Sequence, residues 1–439
     1  MPDKKPGILI ISATDPTKSS GVVAMNFYNA LKKSGYDVDF LTKHYVKSHP
    51  DFLYLYKYER WPNYLNYKYQ KKYGLEKYSN SKSEAIAQQG NHAFDYGRED
   101  DPPIPVDIIL KKIKKNYDAV YVVFWHKMLS YQTIEAIYNK LHCQIHIRCV
   151  DNQPIAGGCH FIGDCPRLSE GCGNCPGLVH GDENDFTRFN IEYRKKVLAA
   201  VRPIIYGNTH MQTIYRQSAL LKDYDRLETV YPLVDNVHFH DIEKTKARKQ
   251  LNIEPSKKFI LFVGASLLTE ERKGMKYLID ALHIFYNCLS NEQRAKVLII
   301  LAGRNAEELL QHIDFETKVV GFVTIDMLPL YYSAANIYLS PSIDDAGPSM
   351  VNQSLSCGTP VVSFEIGTAL DMILHHNTGY CAKLRDAEDF ANGILKIYQK
   401  TPEEYNAMCK ECRRIALDKT SEESFVREFQ RIYEKYTNS

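Results

Sequence analysis

Two stretches of this chain, one beginning at Gly7 and the other at Phe259, run through the same alternation of short apolar segment, turn residues and helically spaced apolar residues. In the first, residues 7–13 (GILIISA) lead into the polar loop 14–21. Val22, Val23, Phe27, Ala30 and Leu31 then fall on one helical stripe that Gly35 stops, and 38–42 reads as the next strand. A strand–helix–strand unit of this kind closes as a right-handed crossover between parallel strands. Further strands are expected at 119–124, 144–150 and 203–206, with helices near 130–141 and 186–200. The second stretch reads as strands at 259–264, 296–302, 319–322, 337–341 and 360–364, with helices at 274–286, 327–335 and 349–357. Alternation of this sort predicts an α/β protein with two Rossmann-like parallel-sheet domains.

A chain of 439 residues suits two domains of roughly 200 residues each. Its 55 basic and 53 acidic side chains leave a net charge of +2, which offers nucleic acid no global field. The longest apolar runs, such as 297–302, fall far short of the ~20 residues that span a bilayer. The N-terminus lacks the shape of a signal peptide, so the expected location is the cytoplasm. Most of the eleven cysteines then read as reduced thiols. The segment 44–105 interrupts the alternation and is rich in Tyr and Lys. It reads first as an amphipathic helical insertion with inward tyrosines, and second as an acceptor patch or a peripheral contact with the inner face of a membrane.

The strongest chemical signal is 340–364, SPSIDDAGPSMVNQSLSCGTPVVSF. A carboxylate at Asp345 can accept hydrogen bonds from sugar hydroxyls, and Gln353 can bind ribose hydroxyls. The loop Gly347, Pro348, Ser349, Met350 opens a helix, whose first N–H groups favour anionic oxygens. This order of carboxylate, Gly-containing loop, second polar position and Ser356-Cys357-Gly358-Thr359-Pro360-Val361-Val362 run resembles the donor signature of the family-four glycosyltransferases, which have the GT-B fold. The chain departs from that pattern in carrying Asp345 and Gln353 where the family has glutamates.

A second stretch, Phe262-Val263-Gly264-Ala265-Ser266 with Glu271-Arg272-Lys273-Gly274, is similar to the family's strand–loop–helix around the donor diphosphate. The resemblance implies that Lys273 holds the diphosphate, that Arg272 assists where Ser266 replaces a second basic residue, and that Gly274 lets the backbone approach. In the first half, Ser19-Ser20-Gly21 resembles the small-residue loop against the donor phosphate, which makes Gly21 a donor-binding candidate. His126 follows a strand end, where parallel sheets place ligands, and the resemblance implies that it faces the transferred sugar.

Residues 151–178 form a Gly/Cys/Pro-rich loop that is similar to one in a bacterial subgroup of the family, many of them capsule, O-antigen or exopolysaccharide transferases. Asp151 matches that subgroup's aspartate, while Val150 stands where it carries a histidine. Cys159, Cys165, Cys172 and Cys175 lie close enough to hold a tetrahedral structural Zn²⁺. Four plain thiols and redox-dependent disulfides are the open alternatives.

The resemblance implies two Rossmann-like domains facing a central cleft. Residues 1–235 would be an acceptor-side domain carrying the 44–105 insertion and the 151–178 loop. Residues 236–415 would bind the nucleotide sugar, and 416–439 would form a helix crossing back, capped by Thr420 with Glu423. Implied too are a UDP- or GDP-sugar donor, a glycan or lipid-linked acceptor, no catalytic metal and retention of configuration. His126, Asp151, Lys273 and Asp345 are the catalytic candidates. A non-catalytic nucleotide-sugar-binding partner subunit and a GT-B epimerase are the rival readings, motivated by the departures at Val150, Ser266 and Gln353.

Overall fold

The computed structural model describes residues 5–17, 20–56, 93–95, 97–264, 266 and 268–437. By their contacts these form two compact units, one of 1–207, 211–230 and 425–439 and one of 208–210 and 231–424. Unit 1 is built on strands β1 (Gly7–Ser12), β2 (Asp37–His44), β3 (Leu53–Tyr56), β4 (Ala119–Val123), β5 (Gln144–Arg148), β6 (Ile204–Gly207) and β7 (Leu227–Thr229). They form one seven-stranded sheet in the order β3-β2-β1-β4-β5-β6-β7, parallel at every pairing. Unit 2 holds β8 (Phe259–Gly264), β9 (Val297–Ala302), β10 (Thr317–Gly321), β11 (Ile337–Ser340), β12 (Val361–Phe364) and β13 (Gly379–Ala382). Its six-stranded sheet runs β10-β9-β8-β11-β12-β13, also all parallel.

The central strands bury both faces, so they read as continuous apolar runs rather than alternating ones. In β8, Ile260, Leu261, Phe262 and Val263 are fully buried, and each contributes roughly 1.5–3 kcal/mol of hydrophobic stabilisation. Helix Met275–Asn287 covers this sheet through Leu278, Ala281, Leu282 and Phe285. Helix ends follow local chemistry. Ser130 and Thr133 make a reciprocal cap for helix Tyr131–Leu141, and Asp185 accepts from Thr187 N at 2.9 Å to start helix Phe186–Val201.

Each sheet has a switch point where successive strands turn outward in opposite directions, between β1 and β4 in unit 1 and between β8 and β11 in unit 2. Parallel α/β sheets expose a crevice there, beyond the carboxyl ends of the strands.

The C-terminal helix Glu422–Thr437 packs the rings of its later residues within unit 1, Phe425 against Phe27 at 4.8 Å between centroids and Phe429 against His146 at 5.4 Å. Glu228 anchors it by accepting from Lys435 Nζ at 2.6 Å, Tyr436 Oη at 2.9 Å and Arg431 at 3.2 Å. The expected cap at Thr420 is corrected. Thr420 ends the preceding helix Pro402–Thr420 with its hydroxyl on Ala416 O at 2.7 Å, and Ser421 Oγ accepts from Ser424 N at 3.2 Å instead.

Of the Tyr/Lys-rich segment, 57–92 and Tyr96 lie outside the described residues. Its opening is a strand, not a helix: β3 extends the sheet beside β2. Among the described residues, no helix is long and apolar enough to cross a membrane.

Candidate functional site

The crevice of unit 2 gathers the loops that follow β8 and β11. Lys273 ends a short 3₁₀ turn (Glu271–Lys273), and its Nζ lies 3.0 Å from Asp345 Oδ2. Neither is deeply buried, at 28% and 18% exposure, so the pair stays open to a ligand. Gly274 is required by this geometry. Its φ is +66°, and a Cβ there would sit 1.9 Å from Pro341 O. The loops are laced together by Ile343 N donating to Arg272 O at 2.8 Å. The Arg272 guanidinium is 2.7 Å from Glu270 Oε1, and Ser266 Oγ donates to the other oxygen of Glu270. Ser266 thereby helps hold the acid that orients Arg272.

Asp345 also turns its Oδ1 onto Gly347 N at 3.1 Å, which shapes the loop entering helix Ser349–Ser356. Pro348 occupies the position before the helix and no side chain caps it, leaving the end polarity available to an anion. Ser349 is exposed at the first turn. Met350 is partly buried, its sulfur 3.3 Å from Tyr338 Oη. One turn on, Gln353 Oε1 accepts from Tyr332 Oη at 3.1 Å, and Tyr332 is fully buried. Asn208 Nδ2 donates to Ala346 O, and Thr209 N donates to Asp371 Oδ2 at 3.1 Å. Burial pushes the neighbouring His210 down, against the pull of the Asp371 and Asp345 carboxylates. Asn208 and His210 drew no notice in sequence because no motif surrounds them.

In unit 1, Gly21 sits in the first turn of helix Ser20–Lys33, where a Cβ would lie 1.7 Å from Asp15 O. Ser19 lies outside the described residues. His126 follows β4 between Phe124 and Lys127, both of positive φ (+49° and +52°), so the backbone at this strand end is held in an uncommon conformation. Asp151 follows β5, with Oδ1 accepting from Gln153 N at 2.9 Å. Two residues absent from the sequence reading join them. His160 Nδ1 is 2.9 Å from Asp151 Oδ2, and His160 Nε2 is 3.1 Å from Asp95 Oδ2. His126 Nδ1 lies 3.2 Å from Asp95 Oδ2, and its Nε2 lies 3.4 Å from Asp151 Oδ2. An isolated bridge between Phe94 and Cys159, with His160 N donating to Ala93 O at 2.9 Å, brings the two strands of this cluster together. Burial opposes the charged form of His160, but the Asp151 and Asp95 carboxylates outweigh it and raise the imidazole to about 10. Burial likewise works against the Asp95 carboxylate, and the two histidines overcome it and hold the group well below the usual range.

Cys159, Cys165, Cys172 and Cys175 line one pocket with Ile162, Leu168 and Thr187. All eleven cysteines are free thiols in this structure. Burial raises Cys159, Cys172 and Cys175, and the neighbouring cysteines add to it. Among the described residues, the group of metal-ligating atoms gathered within 4.8 Å of one another is Asp95, His126 and His160.

Residues 243–415, within unit 2, match the family described as glycosyl transferases group 1. The chain is 26% identical over 227 residues to D-inositol 3-phosphate glycosyltransferase of Pseudarthrobacter chlorophenolicus, covering 50% of this chain and 53% of that protein. It is 22% identical over 253 residues to N-acetyl-alpha-D-glucosaminyl L-malate synthase of Bacillus anthracis, covering 57% and 62% respectively. The chain thus spans less than two thirds of these relatives. Sucrose-phosphate synthase of Thermosynechococcus elongatus shares the fold with a TM-score of 0.66 at 16% identity, over 99% of this chain and 100% of that one. Anabaena HepE, solved in complex with UDP-glucose, does so with a TM-score of 0.61 at 14% identity, over 99% and 100%. The fold is α/β of the GT-B kind, and the likeness to glycosyl transferases group 1 lies in residues 243–415.

Proposed function

We propose that this chain transfers a hexosyl unit from a nucleotide-sugar donor to a hydroxyl of a glycan or lipid-linked acceptor, with retention of configuration. The observation that carries the reading is the Lys273–Asp345 pair at the switch point of unit 2, 3.0 Å apart, inside the segment that matches the family. The open N-terminus of helix Ser349–Ser356 follows directly after it.

In this reading the diphosphate of the donor lies against Lys273, Gly274 and that helix N-terminus. As the bond from the anomeric carbon to the diphosphate oxygen breaks, the departing charge is met by the Lys273 ammonium and the aligned N–H groups. Lys273 is released from Asp345 for this, and Asp345 turns to the sugar hydroxyls. Gln353, oriented by Tyr332, takes ribose hydroxyls. Arg272 supports Lys273. The acceptor hydroxyl bonds to the anomeric carbon and yields its proton to the departing diphosphate. His126 and Asp151, at the ends of β4 and β5, border the acceptor side in this reading. The likeness to D-inositol 3-phosphate glycosyltransferase supports sugar transfer to a small acceptor, and that to O-antigen chain mannosyltransferase B of Escherichia coli supports transfer to a polysaccharide. A role in bacterial surface polysaccharide synthesis, at the cytoplasmic face of the membrane, extends that reading. Cys159, Cys165, Cys172 and Cys175 line one pocket, but among the described residues the ligand atoms gathered within 4.8 Å of one another are those of Asp95, His126 and His160 and not these thiols, so no zinc is assigned to them.

A donor screen tests the proposal. The protein is incubated with UDP-, GDP-, ADP- and dTDP-sugars, scoring thermal stabilisation and slow nucleotide release. One donor should both stabilise and turn over, and Lys273→Ala should lose both. Stabilisation with no release, even with glycan acceptors added, would favour a binding subunit. No response to any donor would refute the site.

A further inference from the structure

The cluster of Asp95, His126, Asp151 and His160 poses a charge problem that the transfer reading leaves unexplained. Asp95 and Asp151 are 11% and 13% exposed, and two carboxylates so enclosed need two positive charges beside them. One divalent cation supplies both charges, and in binding it displaces the proton that the two carboxylates otherwise favour on His160.

Geometry separates the two states. Asp95 Oδ2, His126 Nδ1 and His160 Nε2 lie within 4.8 Å of one another. Yet Asp95 Oδ2 and His126 Nδ1, both shielded from solvent and 3.2 Å apart, make no directed hydrogen bond. An imidazolium donating to a carboxylate would point its N–H at the oxygen. The opposite edges of the rings face Asp151: His160 Nδ1 bonds its Oδ2 at 2.9 Å, and His126 Nε2 lies 3.4 Å from the same atom. Each ring therefore turns one nitrogen to Asp151 and the other towards Asp95. A carboxylate that orients histidine ligands from behind, leaving their far nitrogens to a metal, has this form.

We propose that Asp95 Oδ2, His126 Nδ1 and His160 Nε2 bind one divalent transition-metal ion, with Asp151 as the positioning residue that fixes both imidazoles. Two imidazoles and one carboxylate suit Zn²⁺, Fe²⁺ or Mn²⁺, whereas Mg²⁺ and Ca²⁺ take oxygen ligands. Three protein ligands leave a coordination position for an oxygen donor, and His126, 27% exposed, is the open side of the cluster. The inference does not rest on the transfer reading, since the ion would bind whether or not a donor is turned over.

The full chain, stripped with a chelator, is titrated with Co²⁺ and followed by visible absorption. A ligand-field spectrum without a thiolate-to-cobalt band, saturating at one equivalent, is the expected result. It should persist in Cys172→Ser/Cys175→Ser, fall at least tenfold in affinity in His160→Ala and Asp95→Asn, and weaken by ~10–100-fold in Asp151→Asn. Far-UV circular dichroism checks that each variant folds, and the wild-type titration stands alone where one does not. A wild-type chain that takes up no Co²⁺, or takes it only with the thiolate band, overturns the proposal. So does a thiolate-free site that survives both His160→Ala and Asp95→Asn. Donor turnover by the same stripped protein reads the transfer proposal separately.

Discussion

The two units share one scaffold and place opposite chemistry on it. Both sheets are all-parallel, with the strand order reversing next to the first strand of each unit. In unit 2 the crevice offers a lysine, a carboxylate and an uncapped helix end, the set we propose for an anion. In unit 1 the carboxyl ends of β4 and β5 lead into two carboxylates and two imidazoles, the set we propose for a cation. The scaffold fixes where a ligand goes, and the loops fix its sign of charge.

The units also differ in how they use ion pairs. Glu99 and Arg194 in unit 1 are fully buried and 2.7 Å apart through Arg194 Nε, and Glu99 also accepts from Tyr131 N at 2.7 Å. Lys273 and Asp345 in unit 2 are partly open. Arg194→Met should therefore cost about 3–5 kcal/mol by leaving a buried charge unpaired, read by chemical denaturation as an early transition of unit 1. If the variant is as stable as the parent, the contrast fails. Lys273→Ala should do the reverse: little change in Tm, but a ~10²–10³-fold loss of nucleotide release, with the donor screen as readout.

Tyr332→Phe sharpens the picture within unit 2. Removing the bond to Gln353 Oε1 should weaken donor binding by about 0.5–1.5 kcal/mol, seen in KM with kcat largely kept. An equal loss in kcat would move Gln353 from binding to chemistry. The smallest effect concerns the C-terminal helix. Burial works against the Glu228 carboxylate, but Lys435, Tyr436 and Arg431 overcome it and lower its pKa. The stabilisation is thus present above the ordinary glutamate range and fades as pH falls through the lowered value. Because Arg431 and Lys435 are 49% and 52% exposed, it amounts to about 1 kcal/mol or less. Glu228→Gln should flatten the acid limb of unit 1 stability, and an unchanged limb would dismiss the anchor.

The anion side was far more legible in sequence than the cation side, for a physical reason. Lys273 and Gly274, and Asp345 with the loop to Gln353, are each compact runs whose turn, helix and strand order can be read locally. Asp95 and His160 stand 65 positions apart and meet only through the Phe94–Cys159 bridge, a contact no local pattern encodes. His160 ends the run Gly157-Gly158-Cys159-His160 of the 151–178 loop, so a histidine two residues beyond paired glycines was the available signal. Strand β13 escaped because Gly379–Ala382 (GYCA) has none of the β-branched residues that mark the equally short β6, β11 and β12, and its pairing with β12 is not local in sequence. The Thr420 cap was misread because Thr420 and Ser421 are adjacent cap formers, and the choice between them depends on where the previous helix ends.

Hydrogen exchange of the full chain with and without its stabilising nucleotide sugar tests the central claim most directly. The account predicts slowed exchange at 272–275 and 347–353, abolished in Lys273→Ala. Slowed exchange confined to unit 1, with those two segments unchanged, would contradict it.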